Sequence, residues 1–375
     1  MDLKIDKSHW NPVKLGDVFT KKEENDKENA RNRFDRFLKV NHMDSECLHV
    51  KRWASQENGE ELNPYFYKIF RKGQILFPTR NPHLRRTVLA PFDGITGEKT
   101  LTLEPQKEFL DPNFISFIFH SESFYAHTTG AIIGSTNPHC RWRDVANFEF
   151  LLPPKNQQTK IAKLLWTIDE VIESEKELLE KIKINDLSHL KQYFFDDNTS
   201  EELKLKKIVS IKKGKQPSEL LENESGVPYC KAKYLRSGVI EQSVPETSLI
   251  KSILINDDDI IILWDGAAGE IFKGRKGVLA STMSKIEIIN NEFIKDYIFE
   301  FLRFRSSSIN RASVGSVIKH VDPTYFNNIS VPKFSLDKQN LIVNKFNSLR
   351  LNIEICKSKI KTSQSLQKSL INQIF

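Results

Sequence analysis

The chain has 375 residues, of which 39% are hydrophobic and 28% are charged, a balance typical of a globular protein with room for two cores. It contains no stretch of 18 apolar residues and no charged-then-apolar amino terminus, so we expect neither a membrane span nor secretion and predict a cytoplasmic protein. Four widely spaced cysteines without a CxxC pair indicate reduced thiols. The net charge of +7 is compatible with a polyanionic partner but does not prove one.

The first half of the chain alternates short apolar runs with turn signals. It begins with a strand-like segment at 10–19 and a charged stretch at 21–36 that reads as a loop or an exposed helix. The later predicted elements are strands at 37–40, 48–53 and 74–77 and a helix at 109–126.

The second half repeats this order of elements. The predicted elements are strands at 205–211, 227–231 and 259–263 and a helix at 292–305. Strands and helices mixed in this way predict an α+β core in each half. The polar run 196–200 predicts a hinge between the halves.

A single internal repeat joins the two halves at an offset of 181 residues. The matching pairs are Gly134 and Gly315, Ser135 and Ser316, His139 and His320, Gln158 and Gln339, Gln192 and Gln373, and Phe194 and Phe375. Two copies predict a pseudo-two-fold molecule, because a solenoid needs three or more short units. The two histidines first suggest a structural role, with DNA contact as the alternative.

Each copy ends in a long helix with a 4-3 apolar spacing, the seam of a coiled coil with polar interruptions. The first seam is Ile161, Leu165, Ile168, Ile172, Glu175, Leu179, Ile182, Asp186, His189 and Tyr193. The second is Ile342, Phe346, Leu349, Ile353, Cys356, Ile360, Ser363, Gln367, Leu370 and Ile374. At 1.5 Å per residue each seam spans roughly 50 Å.

Connectivity predicts how these helices are used. The first helix leaves one globular segment and delivers the chain to the next, so two antiparallel spacer helices separating two globular domains are expected. The alternative is that each helix packs only on its own domain. The predicted segments are a first domain at 1–153, a spacer helix at 154–199, a second domain at 200–332 and a second spacer helix at 333–375.

The sequence contains no complete catalytic signature. The segment 269–276 resembles a phosphate loop but lacks the Lys-Ser/Thr pair after its second glycine. The Asn-Pro-Tyr-Phe run at 63–66 lacks the second proline of the loop that holds a flipped base in amino-methyltransferases, and it reads as a turn. No metal-ligand spacing is present, so we expect a binding and spacing module without a metal.

Several stretches resemble the specificity subunit of type I restriction-modification systems. They are LPP at 152–154, QQTKIA at 157–162 and QYF at 192–194, with VP at 331–332 and QIF at 373–375 in the second copy. Further similarity covers NHMD at 41–44, KRW at 51–53, KGQILF at 72–77, FDGI at 92–95 and WRDV at 142–145, and 205–215, 226–229 and 259–262 in the second half. The resemblance therefore extends over nearly the whole chain.

This resemblance implies two target recognition domains that each read one half of a split, asymmetric DNA target, while the paired helices fix the distance between the halves. It implies that methylation and cleavage belong to two modification subunits and to restriction subunits, which would carry AdoMet, ATP and Mg²⁺. The chain itself would hold no cofactor. The alternatives are a fragment of a fused DNA methyltransferase and a coiled-coil scaffold with no DNA role.

Two candidate reading loops differ between the halves. The first reading loop, 80–86, is rich in arginine, which can bind guanine edges with two hydrogen bonds, whereas the second reading loop, 264–269, is not. Phosphate contact is the alternative for any one arginine. The DNA-contact candidates are Lys51, Arg52, Arg80, His83, Arg85, Arg86, Arg141, Lys212, Lys213, Lys215, Lys231, Lys233, Lys273, Arg275 and Lys319.

Overall fold

A computed structural model describes residues 5–195, 201–222, 225–250 and 252–375. These residues form two compact units. Unit 1 comprises Met1–Glu177 and Lys357–Phe375, and unit 2 comprises Leu178–Cys356. Each unit therefore contains part of both long helices, and the four predicted segments stay a prediction. The predicted hinge at 196–200 lies outside the described residues.

Unit 1 mixes short strands and helices. Its strands are β1 (Asn11–Lys14), β2 (Phe19–Lys21), β3 (Glu24–Asn25), β4 (Arg36–Leu38), β5 (Ala54–Ser55), β6 (Phe66–Phe70), β7 (Ile75–Pro78), β8 (Val88–Leu89), β9 (Gly94–Gly97), β10 (Thr100–Pro105) and β11 (Glu149–Leu152). Its helices are α1 (Leu15–Val18), α2 (Ala30–Arg33), α3 (Pro112–Ile115), α4 (Glu122–Gly130), α5 (Trp142–Ala146) and the first part of α6 (Lys155–Phe195).

Unit 2 repeats this composition. Its strands are β12 (Glu201–Lys204), β13 (Val209–Lys213), β14 (Val227–Cys230), β15 (Ser243–Val244), β16 (Leu254–Ile255), β17 (Ile260–Leu263), β18 (Ile271–Lys273), β19 (Gly277–Leu279), β20 (Met283–Ile288) and β21 (Ser330–Lys333). Its helices are α7 (Ala232–Ser237), α8 (Lys295–Arg311), α9 (Pro323–Asn327) and the first part of α10 (Leu336–Ile374).

The sheets of the two units correspond. Each unit has a two-stranded antiparallel sheet just before its long helix, β1-β11 in unit 1 and β12-β21 in unit 2. Each also has a four-stranded sheet, β2-β10-β7-β8 or β13-β20-β17-β18. A third sheet contains one parallel pair in each unit, β4 with β9 and β14 with β19. The α+β class is therefore confirmed.

Both long helices use the predicted seam. Every described seam side chain, from Ile161 to Ile182 and from Ile342 to Ile374, is buried or half-buried. The seam side chains of Asp186, His189 and Tyr193 lie outside the described residues. In unit 1 the end of α10 runs antiparallel to the start of α6, because Gln367 donates to Asp169 (3.1 Å) and Ser363 donates to Glu175 (3.3 Å).

A buried glutamine at the start of each long helix ties the helix to its unit. Gln158 Oε1 accepts from the amide of Asp111 (2.8 Å), and its Nε2 donates to the carbonyls of Phe109 (3.1 Å) and Pro153 (2.9 Å). All three partners are backbone groups at a turn or a helix start. The buried amide of Gln158 therefore has hydrogen-bond partners for both its oxygen and its nitrogen, and it ties the helix start to two neighbouring segments.

The same clamp occurs in unit 2. Gln339 Oε1 accepts from the amide of Ile294 (2.8 Å), and its Nε2 donates to the carbonyls of Glu292 (2.8 Å) and Phe334 (2.9 Å). Gln339 is 0% exposed and Gln158 is 1% exposed. The repeated glutamines seen in the sequence are thus repeated structural clamps.

The far end of each long helix completes a core. Phe194 on α6 packs against Tyr297 and Phe301 in the core of unit 2, at ring distances of 5.6 and 5.3 Å. Phe375, directly after α10, packs against Phe114 and Phe150 of unit 1, at 5.1 and 6.3 Å. Each α+β unit is therefore closed by the end of the helix that starts in the other.

Several predicted elements differ from the structure. The predicted strand at 48–53 is wrong, because this segment makes one isolated bridge, Val50 with Met43, before β5. The predicted helix at 109–126 is broken at Ser121, whose extended backbone and side-chain bond to the amide of Phe124 start α4 anew. The strand predicted at 205–211 begins as a 3₁₀ turn, Leu205–Lys207, and continues as β13.

Other predictions agree with the structure or differ only in their bounds. The predicted strands at 74–77, 227–231 and 259–263 correspond to β7, β14 and β17. The helix predicted at 292–305 is α8, which starts three residues later and runs on to Arg311. No helix among the described residues is long and apolar enough to cross a membrane.

Candidate nucleic-acid interface

The first reading loop is joined to the repeated Gly-Ser segment in unit 1. We call residues 133–139 the first Gly-Ser loop; it is closed by a bridge between Ile133 and His139. The amide of Asn81 donates to the carbonyl of Pro138 (3.0 Å), and the amide of Cys140 donates to the carbonyl of Thr79 (3.0 Å). These backbone hydrogen bonds join the two loops into one ribbon.

The second reading loop is joined to its Gly-Ser loop, 314–320, in the same way. The amide of Gly266 donates to the carbonyl of Lys319 (2.8 Å), and the amide of Val321 donates to the carbonyl of Trp264 (2.9 Å). Isolated bridges pair Arg80 with His139 and Asp265 with His320. Arg80 and Asp265 thus occupy equivalent places in the two units.

The cations of the first reading loop have different surroundings. Arg80 and His83 are exposed, and neither side chain makes a hydrogen bond or ion pair within the described part of the chain. Arg86 is half-buried and donates to the carbonyl of Val40 (3.3 Å). Arg80 and His83 therefore keep their side-chain donor groups available at the surface of unit 1, and Arg86 keeps those that Val40 does not use.

Arg85 is held inside an ion-pair network. Its guanidinium contacts Glu46 (2.6 Å) and Glu122 (2.5 Å) and lies over the ring of Tyr125. Lys368 of α10 contacts the same two carboxylates, at 3.0 and 2.8 Å. Hydrogen bonds from Arg85 and Lys368 lower the pKa of Glu122 to about 2. Arg85 therefore ties the reading loop to α10 while its charge is already compensated.

Three further candidates lie elsewhere on unit 1. Lys51 forms an ion pair with Glu173 of α6 (2.6 Å). Arg52 contacts Asp44 (2.6 Å) and donates to the carbonyl of Asn41. Arg141, one residue after the Cys140 amide of the ribbon, is exposed. Of these three, Arg141 is the one closest in sequence to the first Gly-Ser loop.

In unit 2, three lysines lie on or just after β13. Lys212 pairs with Glu287 (2.8 Å), and Lys213 pairs with Asp265 (3.3 Å) of the second reading loop. Lys215 is exposed and has no ion pair among the described residues. The structure therefore brings Lys213 to the second reading loop, as the sequence alone did not show.

The remaining candidates of unit 2 are mostly paired with neighbours. The partners are Gln242 for Lys231, Glu241 for Lys233, Asp296 for Lys273 and the carbonyl of Leu235 for Arg275. Lys319 is exposed at the end of the second Gly-Ser loop. The candidates are thus spread over unit 2, and those nearest the second reading loop are Lys213 and Lys319.

One surface feature was not predicted from the sequence. A cavity of about 400 Å³ opens beside Arg80, lined also by Val40, Tyr65 and Pro78. Tyr65 is 70% exposed and lies on a turn in which Asn63 accepts from the amides of Tyr65 and Phe66, so the turn read at 63–66 is correct. An exposed aromatic next to a cation is a common nucleic-acid contact.

Candidate metal ligands do not cluster. Among the described residues, no group of three or more His, Cys, Asp or Glu side chains could hold a metal ion.

Comparison with known proteins shows the family of this chain. The type I restriction modification DNA specificity domain matches the chain twice, at residues 7–184 and 198–363. The chain therefore belongs to the type I restriction-modification DNA specificity family, and the resemblance seen in the sequence is confirmed.

Individual relatives give the same result. The type I restriction enzyme MjaVIII specificity subunit of Methanocaldococcus jannaschii is 33% identical over 178 residues, which cover 47% of this chain and 41% of that protein. The MjaIX specificity subunit of the same organism is 22% identical over 336 residues, covering 81% of this chain and 76% of that protein.

Two solved structures share the fold. A chain from a structure on assembly and conformational transition of the type I R-M system covers 97% of both chains at 16% identity, with a TM-score of 0.64. The type I restriction-modification S subunit from M. genitalium covers 100% of this chain and 98% of its own, at 18% identity and a TM-score of 0.60.

Proposed function

We propose that this chain is the DNA-reading subunit of a type I restriction-modification complex. Unit 1 and unit 2 each read one half of a split target, and the long helices set the number of unspecified base pairs between the halves. Modification and restriction subunits assemble on the chain, two of the former matching its two repeats. The assembled complex acts on chromosomal DNA in the cytoplasm.

The observation that carries this proposal is a common frame with unlike reading loops. Gln158 and Gln339 make the same three contacts, and both reading loops bond to a Gly-Ser loop through equivalent amides. At the equivalent bridge position, however, unit 1 has Arg80 and unit 2 has Asp265. A frame of this kind presents two different chemical surfaces, so we expect an asymmetric target.

We assign the chemistry to the partners. The chain is proposed to be non-catalytic, with AdoMet, ATP and Mg²⁺ bound by the modification and restriction subunits. The support comes from its sequence, which lacks a glycine-rich cofactor loop after a strand and lacks a nucleophile with its base.

Among the cations, we propose that those without carboxylate partners contact DNA most directly. In unit 1 these are Arg80, His83, Arg86 and Arg141, and in unit 2 they include Lys215 and Lys319. An arginine that already bonds two carboxylates would have to break those contacts to bind phosphate or guanine. Arg85 is therefore assigned to positioning the first reading loop.

The test is to express the chain with its modification subunit in a host that lacks both, and to sequence the methylated sites. We expect one bipartite target with two different halves, and no methylation when either subunit is omitted. Calorimetric titration of the isolated chain should show no AdoMet binding. A symmetric or continuous target, or stoichiometric AdoMet binding to the chain alone, would contradict the proposal.

A further inference from the structure

The Gly-Ser loops have the same open construction in both units. Gly134 and Gly315 have positive φ angles of 83° and 110°. A Cβ on Gly315 would lie 2.2 Å from the carbonyl oxygen of Ile318, and one on Gly134 would lie 3.2 Å from that of Asn137. The tight turn therefore requires glycine at this position in each copy.

Consecutive backbone amides in these loops have no acceptor. The amides of 134–137 and of 315–318 make no hydrogen bond within the described residues, although the ends of both loops are closed by bridges. The hydroxyls of Ser135 and Ser316 are also exposed and make no hydrogen bond there. A turn with consecutive free amides around a left-handed glycine forms a concave anion-binding nest.

A repeated histidine fixes each loop. His139 Nδ1 donates to the carbonyl of Asn137 (2.9 Å), and His320 Nδ1 donates to the carboxylate of Asp265 (2.7 Å). In both rings the bond uses Nδ1, so Nε2 is the nitrogen left for another partner. Two exposed basic residues are near the loops in sequence: Arg141 follows the first loop, and Lys319 lies within the second.

We infer that each Gly-Ser loop binds one phosphate of the DNA backbone and thereby sets the position of the reading loop bonded to it. This inference rests on the proposed function and adds a division of labour to it. Glycine, serine and histidine recur in both loops, whereas the reading loops differ. A group present at every nucleotide explains the repeated part, and bases explain the part that differs.

The test places a carboxylate at the tip of each loop. Thr136 and Val317 are exposed, Val317 to 93%, so Thr136→Glu and Val317→Glu should fold normally, as their melting temperatures would verify. Thr136→Gln and Val317→Gln are the matched neutral variants. Each is assembled with the modification subunit, and binding is measured on a duplex carrying the methylated target and on an unrelated duplex at several salt concentrations.

We expect each Glu variant to bind both duplexes about tenfold more weakly than its Gln counterpart, the size of one lost charge-assisted hydrogen bond. The slope of log affinity against log salt should fall by about 1, and the methylated sequence should stay the same. Equal affinity of the Glu and Gln variants, or a changed target sequence, would overturn the inference. If the parent complex has no preferred target, the proposed function itself fails.

Discussion

Units 1 and 2 are alike in the hydrogen bonds that hold their frames together and unlike in the side chains of their reading loops. The glutamine clamps and the bonds between reading loop and Gly-Ser loop recur with the same atoms. The reading-loop side chains have changed: Arg80 is exposed and has no partner within the described residues, whereas the equivalent, half-buried Asp265 bonds His320 and Lys213. A buried polar bond tolerates little change because its loss leaves unsatisfied groups, and an exposed loop can vary freely.

The helices before the Gly-Ser loops differ too. In unit 1 the segment is interrupted at Ser121, and α4 starts with Glu122, which binds Arg85 and Lys368. In unit 2 the corresponding α8 is continuous over 17 residues. The interruption therefore places a carboxylate in unit 1 that binds its reading loop. Because α8 is continuous, it has no helix start that could place a carboxylate in the same way.

The largest expected effect comes from lengthening the connection between the two readers. Four helix-forming residues inserted after Leu179 add about 6 Å and advance the seam by about one turn. That length is close to two base-pair steps of roughly 3.4 Å. We expect the complex to abandon the parental target and methylate the same two half-sites with a longer unspecified spacer.

Sequencing of methylated sites measures this outcome. A two-residue insertion is the control, because it turns the seam by about 200° and should prevent assembly. If the four-residue variant assembles but keeps the parental spacer, the helices do not set the separation.

The glutamine clamps provide a matched pair of stability tests. Gln158→Ala and Gln339→Ala each remove a buried side chain that bonds three backbone groups, so each should lower the free energy of unfolding of its unit by roughly 2–4 kcal/mol. Hydrogen exchange followed by mass spectrometry would assign the loss to unit 1 or unit 2. Similar losses are expected; a neutral variant in one unit would show that its frame does not depend on the clamp.

Substitutions in the first reading loop separate recognition from support. Arg80→Ala should cost roughly 1–3 kcal/mol in DNA binding and relax one base of one half-site if Arg80 reads a base. If it contacts phosphate instead, binding should weaken on all sequences and the salt slope should flatten. Gel shifts on target and unrelated duplexes, with methylated-site sequencing, distinguish these results.

Arg85→Ala is the comparison within the same loop. We expect its main effect on the stability of unit 1, about 1 kcal/mol after allowing for the partial exposure of its ion pairs. If the variant changes a target base but not the free energy of unfolding, Arg85 reads DNA and does not merely support the loop.

Acid should affect unit 1 through His120, which donates to the carbonyl of Thr87 in the core. Burial lowers the pKa of His120 to about 4, so below pH 6.5 the unfolded chain takes up a proton that the folded unit refuses. Stability is therefore lost as the pH falls from 6.5 toward 4. In urea unfolding, the free energy of unfolding of the His120→Gln variant should fall by about 1–2 kcal/mol less than that of the parent between pH 6.5 and 5.

His49 has the opposite sign. Its hydrogen bond to Asp169 raises its pKa, so its contribution is present in acid and is lost as the pH rises through the raised value. In the His49→Asn variant, the free energy of unfolding should therefore fall less than in the parent as the pH rises through the pKa of His49. The loss of stability in acid that His120 causes should remain. Because the two contributions oppose each other, each variant is compared with the parent: a His49→Asn variant whose free energy of unfolding changes from pH 8 to 5 as the parent's does would contradict the assignment of His49.

The helices and the repeated positions of the two clamp glutamines were readable from the sequence because their signals are periodic or repeated, whereas the bonds of the glutamines came from the structure. A seam marks itself at every turn, and Gln158 and Gln339 stand at one offset. The segment 48–53 misled because apolar content alone does not supply a pairing partner. The role of Arg85 was hidden because its partners Glu46, Glu122 and Lys368 come from distant parts of the chain.

Because the end of α10 completes the core of unit 1, this unit can finish folding only after the end of α10 has been synthesised. Leu370, Ile371 and Ile374 are buried in the same core as Leu15 and Phe19. At roughly 5–20 residues per second, a ribosome needs about 10–40 seconds to pass from the end of the first part of unit 1 to these residues. Unit 1 is therefore the first unit to begin synthesis and the last to be completed. A translation product that ends before these residues would therefore leave the apolar core of unit 1 incomplete.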